Sequence, residues 1–436
     1  MPTASDTHAK HRAVLVDGVR TPFVRAFGVF MRLDTIDLGV AAVRGLLERT
    51  GVPREEIDSV VWGGVIFPST AVNIGREIVL DLGLSPSVEA TTVTRACTSG
   101  LVAITQAVGA IERGEADVVI AGGSDSTSNA EVKMPQSFVH KTAPVVMSSK
   151  TGVKDYFRLL ARLRVRRDLI PQRPSIRERT TGELMGEAAE RMAADNDISR
   201  EDQDAFALQS HQRAGRAITS GRFADEIVPV DTPEGARIDT SDIVRADTSL
   251  EKLAKLRPAF AENGTLTAGN SSALTDGAAA VLLMNEEKAR ALGLSPKVAF
   301  RGWSYDAVDP ADQLLIGPAI SMPKALRRAG MALGDVDLVD IHEAFAAQVL
   351  SVLKGLRSAE FARERLGLDA ATGELRPEDI NVHGGSIALG HPFAATGARM
   401  VITMANELKL TGASTALLGI CAAGGQSAGA VLQVVS

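Results

Sequence analysis

A chain of 436 residues that is 45% hydrophobic and 23% charged can bury a large core and is not a disordered polypeptide. Its formal net charge of −6 argues against general nucleic-acid binding, and 4% aromatics leave no base-stacking platform. Two cysteines, a polar opening at Met1–Arg12 with no secretory core, and no run near the ~20 apolar residues of a membrane span give the expectation of a cytoplasmic protein with two free thiols.

Along the chain, Arg12–Asp17 is predicted as a buried strand. Thr35–Arg49 has helical spacing, with Ile36, Leu38, Ala41, Ala42, Leu46 and Leu47 on one side, and Gly51 stops it. Ile57–Trp62 and Thr91–Val93 follow as strands, then a helix over Ser99–Glu112 and a strand over Val118–Ala121. Helices are expected at Thr181–Asp195, Arg200–Ala217 and Leu250–Leu256, and a strand at Ala278–Met284. A helix over Met322–Arg328, stopped by Gly330, precedes a strand at Val336–Ile341. A helix over Ala395–Lys409 leads to strands Thr415–Ile420 and Ala430–Val435, joined by a glycine-rich turn.

The chain repeats itself. GVPREEIDSVVW from Gly51 and GMALGDVDLVDI from Gly330 share a register, as do Ala116–Gly122 and Ser414–Ile420. Two similar halves of alternating strands and helices imply layered α/β architecture. A long insertion, Ser124–Thr275, separates two strands of the first half, a placement that usually carries function. Inside it, Asp155–Arg167 reads as a basic amphipathic helix. Lys154, Arg158, Arg162 and Arg166 form one stripe, with Tyr156, Phe157, Leu160 and Leu163 on another. Such a helix can meet an anionic membrane or a partner, or pack on its own domain.

The chemistry-bearing residues fall in four places. Asn381–Met400 sets two histidines among four glycines, and His391 stands between Gly390 and Pro392, placed as a base for a nucleophile. Cys97 in RACTSGL precedes a helix, whose N-terminal dipole is expected to lower its pKa. His342 in DIHEAF sits just past a strand end, where α/β sheets meet ligands. Cys421 enters CAAGG, where sulfur and backbone N–H groups can surround one substrate atom. Zinc is the competing use of such residues. No CxxC and no pair at i,i+3 or i,i+4 occurs, so no metal is expected. His140 and His211 read as surface residues, and His383 as a bystander.

RACTSGL, HEAFAAQ, GGSIALGHPFAATGAR and CAAGG, in this order, resemble the thiolases over nearly the whole chain, including RPAF...TAGNSSALTDGAAA at Arg257–Ala280. The sequence is most similar to the thiolase subunit of trifunctional fatty-acid oxidation complexes. His342 replaces the usual asparagine, and CAAGG replaces CxGGG. The resemblance implies the thiolase fold, two α/β halves in five αβαβα layers with an inserted loop domain. Its halves would be 1–123 with 276–290, and 291–436; the insertion, 124–275, would bind coenzyme A.

The resemblance further implies that Cys97 takes the acyl group, His391 activates it, and Cys421 moves the proton at the α-carbon. His342 and His391 would form one oxyanion site, and the backbone N–H groups of Cys97 and Ala423 the other. Ser272, Arg245, Met185, Phe260, Ala268 and Phe345 match coenzyme A contacts. The implied activity is that of a 3-ketoacyl-CoA thiolase of fatty-acid β-oxidation, acting by ping-pong kinetics with coenzyme A as substrate and no cofactor. An acetyl-CoA C-acetyltransferase working in the condensing direction is the alternative. A decarboxylating ketoacyl synthase is disfavoured because it needs no second reactive cysteine. The implied partners are acyl-CoA and CoA, a second copy or three, a hydratase/dehydrogenase subunit and a peripheral membrane surface.

Overall fold

The computed structural model describes residues 11–172 and 177–435. Most of the polar opening and residues 173–176 of the expected insertion lie outside the described residues. Two units form, one of Met1–Asn129 with Arg177–Ser436, the other of Ala130–Ile176.

The larger unit is built on strands β1 (Ala13–Arg20), β2 (Val24–Arg25), β3 (Ser59–Gly63), β4 (Glu89–Val93), β5 (Val118–Ser126), β8 (Thr275–Asn285), β9 (Val298–Ala307), β10 (Leu338–Ile341), β11 (Thr415–Ala422) and β12 (Gln426–Val434). A separate ribbon pairs β6 (Val230–Asp231) with β7 (Arg237–Ile238). The main order is β10-β11-β12-β9-β1-β8-β5-β3-β4, with β2 on β8. The repeat is visible in the pairing. β3 runs parallel to β5, which is antiparallel to β8, which is antiparallel to β1. β10 runs parallel to β11, then β12 and β9 follow antiparallel. One pair, Leu15 with Val298, joins the two halves.

Helices α1 (Thr35–Thr50), α2 (Ile74–Asp81), α3 (Ser99–Glu112), α4 (Met185–Asp195), α5 (Arg200–Thr219), α6 (Pro318–Ala329), α7 (Ala346–Arg357), α8 (Ser386–Leu389) and α9 (Phe393–Thr411) complete the layers. Strand alternation shows how. Val118 and Ile120 of β5 join the core under α1 and α2, while Val119 and Ala121 join the core containing α3 and α9. In β11, Ala416, Leu418 and Ile420 enter that same middle core, while Leu417 and Cys421 face the core with α6 and α7. Five layers result, with α3 and α9 sandwiched between the sheet's two halves. α1 forms because Asp34 caps it, accepting from Ile36 and Asp37 N–H, and Gly51 closes it in the left-handed region. Leu38 and Leu46 are fully buried, each contributing roughly 1.5–3 kcal/mol.

β3 and β10 begin two residues later than expected, while β1, β5, β8 and β11 run longer. Val118–Ala121 extends to Ser126 because Gly122 packs against Ala279; a Cβ there would lie 2.1 Å from the Ala279 carbonyl oxygen. The β11–β12 connection is the three-residue turn Ala423–Gly425, since Ala422 pairs with Gln426. In the first half the same connection holds residues 127–274, because Ser126 pairs with Asp276. Within that stretch Ala188, Met192 and Phe206 of α4 and α5 pack in one core with Val349 and Val352 of α7.

In the smaller unit the basic helix spans Val153–Arg162 and stops, where Asp155–Arg167 was expected. Leu163 turns extended and a π turn, Val165–Leu169, follows. The buried Asp168 explains the break. Its carboxylate accepts from Arg164 N–H at 2.7 Å and from Lys141 Nζ at 2.6 Å, bonds a continuous helix would forgo. Arg166 therefore leaves the stripe of Lys154, Arg158 and Arg162.

Candidate active site

Cys97 is set by a tight turn between β4 and α3. Ala96 takes φ +48°, a region costing a non-glycine residue about 1–3 kcal/mol. Local bonds hold it there. Ser99 Oγ donates to Ala96 O at 2.6 Å and accepts from Arg95 N–H at 2.7 Å. α3 and α9 then meet closely through Gly100, whose absent Cβ would lie 2.2 Å from the Ala394 carbonyl oxygen. Asp125, at the end of β5, accepts from Ala394 N–H at 2.7 Å and so caps α9 across the two halves; it also takes Val65 and Ile66 N–H. Burial, outweighing these donors, pushes its carboxyl up to about 7.

His391 enters from the other half. Gly390, at φ +93°, turns the chain, and His391 N–H donates to Thr275 Oγ1 at 2.8 Å. Its Nε2 lies 3.1 Å from Cys97 Sγ and its Nδ1 2.6 Å from Thr396 Oγ1. His342 follows β10, its Nδ1 2.9 Å from Ser386 Oγ. Its Nε2 is buried with no hydrogen-bond partner among the described residues. The two imidazole centroids are 4.2 Å apart.

The electrostatics correct one expectation. Burial pushes the Cys97 thiol up to about 12, despite the Ala423 N–H directed at it. The net shift is upward, opposite to the lowering expected from the helix end. Burial, helped by the positive Arg399, holds His391 down at about 3, and burial also holds His342 well below the ordinary histidine value. These shifts favour a thiol beside a neutral imidazole over a thiolate–imidazolium pair. Cys421, buried at the end of β11, is raised by burial and by Cys97 nearby, with Ala344 N–H directed at it.

Spacing along the chain does not show which donors meet in space. Folding places donor atoms of Cys97, His342 and His391 within 4.8 Å of one another. Of the coenzyme A positions, Met185, Phe260 and Phe345 share one apolar cluster, Phe260 and Phe345 edge to face at 5.7 Å. Ser272 is half-buried and donates its N–H to Ala344 O at 2.9 Å. Arg245 and Ala268 are exposed. His211 is buried, not on the surface, and its Nδ1 accepts from Arg245 N–H. His383 pairs with Glu407 at 2.6 Å and His140 is exposed.

The orienting groups Thr396, Ser386, Thr275 and Asp125 escaped the sequence reading. Thr396 and Ser386 stand inside GGSIALGHPFAATGAR, but no spacing rule marks a hydroxyl that meets a ring across a fold. Glu343 escaped too. It is buried, bonded to Ser210 Oγ at 2.7 Å and Asn381 Nδ2 at 2.6 Å, and ties the glycine-rich loop to β10.

A cysteine, a base oriented by a hydroxyl, and a second imidazole on a five-layered αβαβα scaffold define an acyl-transferring site. The family model for the thiolase N-terminal domain matches residues 13–287 and that for the thiolase C-terminal domain residues 294–434. The chain belongs to the thiolase family. It is 44% identical over 431 residues to the 3-ketoacyl-CoA thiolases of Yersinia pestis (strain Pestoides F) and Yersinia pseudotuberculosis serotype O:3 (strain YPIII), covering 98% of each chain. Among solved structures it resembles the Bacillus anthracis acetyl-CoA acetyltransferase at TM-score 0.82 and 32% identity, over 98% of this chain and 99% of that one. It resembles human mitochondrial 3-ketoacyl-CoA thiolase at TM-score 0.81 and 31% identity, with the same coverage.

Proposed function

We propose that the chain is a 3-ketoacyl-CoA thiolase of fatty-acid β-oxidation. The observation that carries this is Cys97 Sγ at 3.1 Å from His391 Nε2, beside the unpaired Nε2 of His342. His391 takes the Cys97 proton as sulfur attacks the 3-carbonyl of the substrate. The bond between C2 and C3 breaks, leaving an acyl-cysteine and an acetyl-CoA enolate. His342 and His391 stabilise the enolate oxygen, and the Cys97 and Ala423 N–H groups stabilise the tetrahedral oxygen. Cys421 gives its proton to C2, releasing acetyl-CoA. The thiol of a new CoA then passes its proton to Cys421 and attacks the acyl-cysteine. Cys97 leaves and recovers its proton from His391.

For coenzyme A, Met185, Phe260, Ala268 and Phe345 supply an apolar wall, Ser272 a pantetheine contact and Arg245 an adenine-side charge. The reading keeps 1–123 with 276–290 and 291–436 as the two halves and 124–275 as the CoA-binding insertion. The chain acts as a homodimer or homotetramer in the cytoplasm, alongside a hydratase/dehydrogenase subunit. Tyr156, Phe157 and Leu160 are exposed beside Lys154, Arg158 and Arg162, which supports peripheral contact with an anionic membrane. Condensation to acetoacetyl-CoA is the second reading, favoured by the acetyltransferase resemblance. Thiolysis rates across 3-ketoacyl-CoA chain lengths test the assignment. Parallel double-reciprocal lines with long substrates support it; turnover of acetoacetyl-CoA alone would replace it with the second reading.

A further inference from the structure

We propose that Cys97, His342 and His391 form a three-donor binding site for zinc or a similar soft divalent cation, which reversibly blocks acyl transfer. Three observations converge. The donor atoms of the three residues lie within 4.8 Å of one another. His342 Nε2 is fully buried with no hydrogen-bond partner among the described residues, so a metal ion would meet a nitrogen that no other group of the protein engages. Both imidazoles have Nδ1 held by a hydroxyl, Thr396 for His391 and Ser386 for His342. That leaves each Nε2 for a ligand, the arrangement in which metal-binding histidines are oriented by outer hydrogen bonds.

The geometry is close to what zinc requires. Zinc sits about 2.0–2.1 Å from imidazole nitrogen and about 2.3 Å from thiolate sulfur. The donors would open or close by on the order of 1 Å to meet those lengths. Cys97 loses its thiol proton to solvent as sulfur binds the metal; no electron moves. A fourth position stays for water or a substrate thiol, the pattern of three protein ligands with one open site. An asparagine side chain is a far weaker donor to zinc than imidazole, so the site depends on His342.

Metal binding needs only the three side chains, while the block of acyl transfer rests on the proposed reaction. Full-length protein, freed of chelators and thiol reductants, is titrated with Co(II) and with Zn(II) against a chromogenic chelator. The expected result is one metal per chain, a thiolate-to-cobalt charge-transfer band, and protection of Cys97 from iodoacetamide by Zn(II). His342→Asn should weaken binding at least about tenfold, and Cys97→Ser should abolish the band. Folding of each variant is checked by its thermal transition. Protein alkylated at Cys97 serves as a control that needs no substitution, and it should bind no metal at this site. Equal affinity in His342→Asn, or a persisting band after Cys97 is alkylated, overturns the proposal while leaving thiolysis by the untreated enzyme untouched.

Discussion

The rings of His342 and His391 stand 4.2 Å apart, tilted by 45°, each pinned at Nδ1 by a hydroxyl from the glycine-rich segment. Two charged imidazoles could not share that space, and burial keeps both neutral. Neutral His342 can then present Nε2–H to a developing oxyanion, and His391 can do so once its Nε2 carries the Cys97 proton. His342→Ala is expected to lower kcat about 10²–10³-fold. Stopped-flow acylation of Cys97 by a simple acyl-CoA should slow far less. A mutant that cleaves 3-ketoacyl-CoA at the wild-type rate would remove His342 from the site.

The contact of α3 with α9 sets the distance between Cys97 and His391. Gly100→Ala puts a methyl 2.2 Å from the Ala394 carbonyl oxygen, backbone that cannot swing aside. The expected loss of stability is about 1–3 kcal/mol, read by chemical denaturation. Activity should fall with it, because Cys97 and His391 ride on the two helix starts.

A half-buried thiol raised to about 12 beside a neutral imidazole has a signature. Iodoacetamide should alkylate Cys97 faster as pH rises from about 6 to about 9, about tenfold per unit, since the thiolate fraction grows throughout. A plateau in that range would show a preformed thiolate–imidazolium pair.

How much of this was legible in the sequence follows from particular residues. The repeat at Gly51 and Gly330 identified β3 and β10 as counterparts, because turn chemistry and strand pattern are both local. Cys97, His391, His342 and Cys421 stood out because each lies beside glycines or at an element boundary. The Cys97 pKa was misread because the dipole is a local cue while burial belongs to the whole fold. The basic stripe predicts a helix as far as Arg167, whereas the helix ends at Arg162; Asp168 takes the Arg164 N–H four residues back and is held by Lys141, and only that second contact is tertiary. His211 was misplaced for the same reason. Its polarity suggested the surface, while α5 turns it inward beneath Arg245.

His211 offers a stability test. Burial, with Arg245 nearby, lowers its pKa to about 4, so the native state refuses a proton that the unfolded chain accepts at the ordinary value of 6.5. Its contribution is present above about pH 6.5 and is lost as pH falls toward 4. The stability difference between wild type and His211→Gln should therefore shift against wild type by about 3 kcal/mol across that window. Parallel pH profiles of the two unfolding free energies would contradict it.

The most direct test of the account is intact-protein and peptide mass spectrometry after mixing the enzyme with a 3-ketoacyl-CoA in the absence of free CoA. The account predicts one acyl group, two carbons shorter than the substrate, on the peptide carrying Cys97, removed by added CoA and absent in Cys97→Ser. An adduct on Cys421, or an adduct that persists in Cys97→Ser, would contradict it.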